Sequence, residues 1–302
     1  MKSTFILFFV CLLVLSVNSM QSAFAGNVPV LVSTSWLADH LHDQNLVILQ
    51  VASIKRDYTS GHIPGARFLW VGWFAIANPE MSFEVVPVDQ MKNTLEELGV
   101  SNSSIIILTG VKTNVSPTAR IFLTFEYLGM GGHVAILDGG FDAWKREGRE
   151  VSTVTPSVQK SSFTPHVVSE VFVDADWVKG HLNTAGVSIV DARAPQFYAG
   201  TNAGQLHSGH IPGAKNIYYE TVVDSTGRML PDVKLRELFD KAGVNKSDEV
   251  ATYCHVGQTA SLVYYAARKL GFNVHLYDGS FDDWGNRPDL PVELPAKTDS
   301  MK

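Results

Sequence analysis

Cys254 is the residue best placed to do chemistry in this chain of 302 residues. It directly follows the apolar run Val250-Ala251-Thr252-Tyr253, and the segment Cys254-His255-Val256-Gly257-Gln258-Thr259 separates that run from a helical pattern beginning near Ala260. A strand-to-helix loop of this kind lies beyond the carboxyl end of a strand, where open parallel α/β sheets bind their ligands. Gly257 admits a turn that other residues resist, and the start of the helix leaves N–H groups without intrahelical partners. Converging amides and the positive end of a helix dipole favour an anionic sulfur, and would equally cradle a persulfide or a bound anion. The pattern predicts a nucleophilic Cys254 with binding groups at His255, Val256, Gly257, Gln258 and Thr259. The competing expectation is a buried structural cysteine.

The compartment bears on that choice. Lys2, the apolar run Phe5 to Val17 and Ala23-Phe24-Ala25 have the layout of a secretory signal peptide over residues 1–25,. The alternative is an uncleaved membrane anchor, for which the run is short. Cleavage would remove Cys11 and leave Cys254 as the sole thiol, so no intramolecular disulfide could form. Exported domains normally use cysteine in pairs. A lone thiol there is either inert or kept free for chemistry. Export implies a periplasmic protein if the source has two membranes, and otherwise a secreted or surface-associated one. No stable membrane insertion is expected after cleavage. The net charge of −6, with no basic block, argues against nucleic acid and anionic membranes as partners.

The elements that must position Cys254 occur twice. Ser60-Gly61-His62-Ile63-Pro64-Gly65-Ala66 recurs unchanged at Ser208 to Ala214, and Asp138-Gly139-Gly140-Phe141-Asp142-Ala143-Trp144 recurs as Asp278-Gly279-Ser280-Phe281-Asp282-Asp283-Trp284. Helical and continuous apolar segments alternate within each copy. In the first they are Ser33 to Leu41, Leu46 to Val51, Val88 to Leu98, Ile105 to Leu108, Pro117 to Leu128 and His133 to Leu137. In the second they are Asp174 to Leu182, Val187 to Val190, Val233 to Ala242, Val250 to Tyr253, Ala260 to Leu270 and Val274 to Tyr277. This predicts an α/β fold of two tandem domains, each a mainly parallel sheet flanked by helices. The expected boundaries are a first domain over 26–151, an extended linker over 152–164, rich in Ser, Thr, Val and Pro, and a second domain over 165–302. Alignment of the copies puts Thr109, not a cysteine, at the end of the matching strand, which makes the first domain inactive.

The two His-Ile-Pro-Gly-Ala turns, the paired Asp-Gly-x-Phe-Asp-x-Trp segments and the Tyr-Cys-His-Val-Gly-Gln-Thr-Ala loop resemble the rhodanese family in its tandem form. The likeness implies a thiosulfate sulfurtransferase. The Cys254 thiolate would take the outer sulfur of thiosulfate or another sulfane-sulfur donor and pass it to cyanide or a thiol through a persulfide, with no cofactor and no metal. It also implies an anion-binding role for Arg193, on which the loss of Arg193 would weaken an anionic donor. A structural Asp191–Arg193 ion pair is the alternative reading of the same residues. Phe197 stands where tandem members often carry a second arginine, and the loop lacks the Cys-Gly-Ser-Gly or Cys-Gly-Ala-Gly sequence of mercaptopyruvate sulfurtransferases.

Two other functions are weighed against this one. Phosphatases of related fold need a Cys-x5-Arg loop, and Ala260 occupies the arginine position. A non-catalytic persulfide carrier needs the same activated cysteine as the enzyme, so the sequence leaves that alternative open. His62 and His210 belong to the repeated turn and are expected to bond backbone rather than metal, although His207 lies near the second. Trp144 and Trp284 are expected as core anchors, whereas Trp70 and Trp73 could pack or line a cleft.

Overall fold

Uninterrupted apolar runs such as Leu46 to Leu49 cannot alternate inward and outward, so helices must cover both faces of the sheet they join,. The computed structural model, which describes residues 27–76, 83–111, 114–201 and 208–294, builds this arrangement twice. The segment 1–25, with Cys11, and His207 lie outside the described residues.

The first domain runs β1 (Leu31–Val32), α1 (Thr34–His40), β2 (Leu46–Ala52), α2 (Lys55–Thr59), β3 (Arg67–Trp70), β4 (Ala75–Ile76), β5 (Glu84–Val85), α3 (Val88–Glu97), β6 (Ile105–Gly110), α4 (Ser116–Tyr127), β7 (Val134–Leu137) and α5 (Gly140–Arg146). The second runs β8 (Phe172–Val173), α6 (Ala175–Gly180), β9 (Val187–Asp191), α7 (Pro195–Tyr198), β10 (Lys215–Asn216), α8 (Asp232–Lys241), β11 (Glu249–Tyr253), α9 (Ala260–Lys269), β12 (Asn273–Tyr277) and α10 (Ser280–Trp284). The main sheets are ordered β1-β7-β6-β2-β3 and β8-β12-β11-β9-β10, which is one order used twice. Every pairing within them is parallel, while β4 and β5 form a separate antiparallel pair.

The repeated motifs do matching work. His62 and His210 are buried, stack on Tyr58 and Tyr198 at ring distances of 4.1 and 3.8 Å, and put Nδ1 on the Tyr58 and Tyr198 carbonyls at 3.0 and 2.8 Å. They hold backbone, as the repeat suggests. Trp144 and Trp284 are buried and donate from Nε1 to the carbonyls of Glu150 and Pro291, each at 2.7 Å. Trp70 is 43% exposed, with Trp73 set edge-on to it.

Residues Thr153 to Val168 carry no regular element, yet they are held to the first domain rather than loose. Phe163 is fully buried, and its N–H donates to Glu96 Oε1 at 3.1 Å. Helices α4 and α9 lie against each other between the two sheets. Ser116 to Glu126 are all buried, as are Ala260 to Ala267, so one apolar cluster runs through both domains. Helices buried on all sides are expected only in such a position, and of the polar side chains that α4 carries inward, Arg120 and Glu126 are paired there,. Phe122 meets Tyr265 edge-on at 4.8 Å, and Arg268 and Tyr264 both bond Glu126, closing the seam.

Register places the counterpart of the nucleophile one residue beyond Thr109. Gln50 pairs with Thr109 and Asp191 pairs with Tyr253, so Gly110 corresponds to Cys254. The backbone above confirms this, because Gly140 and Ser280 share left-handed φ values of 57° and 54° over Gly110 and Cys254. A Cβ on Gly110 would stand 2.7 Å from Thr118 Oγ1. The space bounded by Gly110, Thr118, Asp138, Gly140 and Tyr265 measures only about 20 Å³, room for a single water. Installing a thiol by Gly110→Cys in a Cys254→Ser background should therefore not create a sulfur-accepting site. Intact-mass measurement after thiosulfate should show no adduct, and a stoichiometric adduct would mean that Thr118 does not block the pocket.

Candidate active site

Strand β11 ends at Tyr253, and Cys254 follows at the carboxyl edge of the sheet, between β9 and β12. Cys254 is a free thiol and 1% exposed. Its main chain is fixed on both sides: its N–H donates to Ser280 Oγ at 3.2 Å, and its carbonyl accepts from Phe281 N at 3.0 Å. Ser280 in turn donates to the Tyr277 carbonyl at 2.9 Å. The second copy of the Asp-Gly-x-Phe-Asp-x-Trp motif is thus the platform under the cysteine.

The loop then curls into α9. Gly257 has φ +79°, the left-handed region in which a side chain is strained,. Its carbonyl accepts from Ser261 Oγ at 2.8 Å, which ties the loop to the first turn of the helix. Thr259 is the N-cap residue and makes no side-chain cap, so the leading α9 amides are not claimed by it,. His255, Val256, Gln258 and Thr259 are half-buried around the buried Cys254 and Gly257. All five expected loop residues therefore lie with the cysteine in one turn.

His255 is biased toward its neutral form. Burial pushes its imidazole below the usual range, and the Arg193 guanidinium adds to that effect. Phe197 packs edge-on against it at 4.5 Å, so the residue that departs from the tandem pattern serves to cover the histidine.

Arg193 is placed differently from a ligand-facing arginine. It is 2% exposed, with Nε at 3.0 and 3.1 Å from the two Asp191 oxygens and Nη2 at 2.7 Å from both Asp191 Oδ2 and the Gly209 carbonyl. Tyr253 also donates to Asp191 at 2.7 Å, and the Arg193 guanidinium lies 3.8 Å above the Phe281 ring. The geometry matches the ion-pair alternative: Arg193 braces the turn at Gly209 and the strand under Cys254.

Sequence reasoning missed what the first domain brings. Arg120, from α4 and fully buried, donates from Nη1 to Asp278 Oδ1 at 2.5 Å. The same Nη1 lies 3.1 Å from the point where a Gly257 Cβ would be. Only Asp278, repeated as Asp138, carried a signal in the sequence.

A duplicated parallel α/β fold in which, among the described residues, only the loop after β11 bears a thiol defines a tandem-domain protein with its cysteine centre in the second domain. The chain belongs to the rhodanese family: the model of the rhodanese-like domain matches residues 33–147 and again 174–287. Among curated relatives, it is 31% identical over 279 residues to a sulfur carrier protein, TtuD, of Thermus thermophilus, covering 87% of this chain and 96% of that one. It is 28% identical to a thiosulfate sulfurtransferase of Azotobacter vinelandii, covering 89% and 98%. The 3-mercaptopyruvate sulfotransferase SseA of Escherichia coli superposes with a TM-score of 0.73 at 26% identity over 84% of this chain and 99% of that one. Sulfur-handling proteins of rhodanese fold are thus its relatives.

Proposed function

We propose that this protein is a thiosulfate sulfurtransferase acting outside the cytoplasm. The observation that carries the reading is Cys254, the sole cysteine among the described residues, at the carboxyl end of β11 in a loop turned by Gly257. The Cys254 thiolate attacks the outer sulfur of thiosulfate, the sulfur–sulfur bond of the donor breaks, and sulfite leaves with the electron pair. Cyanide or a thiolate then attacks the outer sulfur of the persulfide and releases the Cys254 thiolate. Two covalent half-reactions replace one difficult transfer. The loop amides and the α9 N-terminus hold the negative charge, and no step calls for a metal or an organic cofactor. The signal-like segment 1–25 supports export to a periplasm or beyond, and no helix among the described residues is long and apolar enough to cross a membrane.

A second reading, a persulfide carrier serving a protein partner, is favoured by the near-complete burial of Cys254 and by the likeness to the Thermus carrier. Intact-mass measurement before and after thiosulfate, followed by cyanide with thiocyanate detection, separates the two. A cyanide-labile gain of one sulfur with repeated thiocyanate formation is the enzyme's result. A sulfur adduct without turnover is the carrier's, and no adduct at all rejects thiosulfate as the donor.

A further inference from the structure

Each domain reaches across to the same carboxylate of the other, but not with the same side chains. Asp138 accepts from Met229 N at 3.1 Å and from Arg228 Nη1 at 3.0 Å, both from a segment of the second domain bridged at Val223 and Met229. Asp278 accepts from Val85 N at 3.1 Å, and Val85 lies on the β4–β5 pair of the first domain. The residue before Val85 is Glu84, where the residue before Met229 is Arg228. The cation at Asp278 comes instead from Arg120, on α4. The inactive cleft thus meets an arginine from the opposing hairpin, and the cysteine-bearing side meets a second carboxylate.

That carboxylate is not accommodated by its surroundings as an anion. Glu84 Oε1 is buried without a hydrogen-bond partner, as is Arg120 Nε. The charged and titratable groups facing Glu84 are Asp278 from the turn after β12, Arg120 from α4, and Asp283 and Tyr277 from α10 and β12. Asp283 already accepts from Tyr277 at 2.5 Å. Arg120 is itself confined, with Nη2 at 3.3 Å from the Phe83 carbonyl and the Phe172 ring 5.1 Å from its guanidinium carbon. Asp278 and Arg120 are also the groups that stand 3.0 and 3.1 Å from the Gly257 Cβ position.

We propose that Arg120 and Glu84 are positioning residues lent by the first domain to the sulfur site of the second, gripping Asp278 and through it setting the shape and charge of the Cys254–Thr259 loop at Gly257. This deepens the sulfurtransferase reading and rests on Cys254 being its nucleophile. Arg120 and Asp278 offset each other and Asp283 is held by Tyr277, so ionisation of Glu84 is what changes the charge of the clamp. Burial, with the negative charge of Asp278 next, pushes the Glu84 carboxyl up to about 7, against the opposing pull of Arg120. A raised carboxyl contributes to domain docking fully below its ordinary range, and the contribution is lost as pH rises through about 7,. Above that point the clamp turns negative beside a loop that must bear an anionic sulfur.

The test is the rate of Cys254 alkylation by iodoacetamide in the full chain between pH 5.5 and 8.5, which needs no sulfur donor. Wild type and Glu84→Gln should agree at the acid end. Above pH 7 Glu84→Gln should react roughly threefold faster or more, as expected for removing one charge near a partly buried site. Arg120→Met should slow the reaction across the range, with Arg120→Lys restoring part of it. Superimposable wild-type and Glu84→Gln profiles would overturn the proposal, and this nearly isosteric variant decides alone if Arg120→Met does not fold. The expected profiles without uptake of sulfur from thiosulfate would reject that donor and leave the clamp standing.

Discussion

Cys254→Ser should abolish both sulfur uptake and sulfur transfer while leaving the fold intact. The loss should be on the order of a thousandfold or more, as for removal of a covalent nucleophile, because a serine hydroxyl offers neither a thiolate nor a sulfur able to form a persulfide. The structural cost should be moderate. Cys254 is tied down through its main chain, to Ser280 Oγ and Phe281 N, and neither bond involves sulfur. Exchanging Sγ for a hydroxyl leaves those contacts in place but puts a polar group into the apolar cluster that holds Cys254, so a stability loss of about 1–3 kcal/mol is expected,. Thiocyanate formation and intact mass report the first effect, and urea unfolding the second. Retained turnover would remove Cys254 from the mechanism, whereas loss of folding would show that the core around Cys254 does not tolerate a hydroxyl.

The site was legible in the sequence where chemistry and chain order coincide. Cys254, its glycine turn and the helix after it are consecutive residues, so the strand end, the turn and the helix start could be placed together. The central strands β2, β6, β9, β11 and β12 announce themselves as apolar runs. The edge strands β1, β8 and β10 do not, since two residues such as Leu31 and Val32 carry no period. The exact equivalence of Gly110 and Cys254 needed the sheet register, because strand-end alignment has no way to count the bonded residue beyond Thr109. The first domain's part was hidden for a different reason. Arg120 and Asp278 lie 158 residues apart, and nothing in either neighbourhood names the other. Only the packing of α4 against α9 brings them to one place. Arg193 shows the converse, a residue whose family pattern suggested an anion ligand while its neighbour Asp191, two positions away, was already its partner.

That pairing carries the second large expectation, in stability rather than catalysis. Arg193→Ala should lower folding stability by about 3–5 kcal/mol, because it leaves a buried carboxylate without its counter-charge. Asp191 is fully buried and would keep Tyr253 Oη at 2.7 Å but lose every side-chain bond to the guanidinium. The Gly209 carbonyl would lose its donor as well. The first domain shows how the same place is filled without charge. Gln50, the counterpart of Asp191 by strand register, bonds the Gly61 carbonyl at 3.3 Å, and Ala52 stands where Arg193 does. Transplanting that solution as Asp191→Gln with Arg193→Ala should therefore recover much of what Arg193→Ala loses, since removing both members of a buried pair avoids the stranded charge. Urea unfolding of the two variants, with the Michaelis constant for thiosulfate measured under folding conditions, tests the assignment. A large loss in the single variant, relieved in the double, is the result of a structural brace. An Arg193→Ala protein of wild-type stability with a strongly raised Michaelis constant would instead make Arg193 the group that binds the donor.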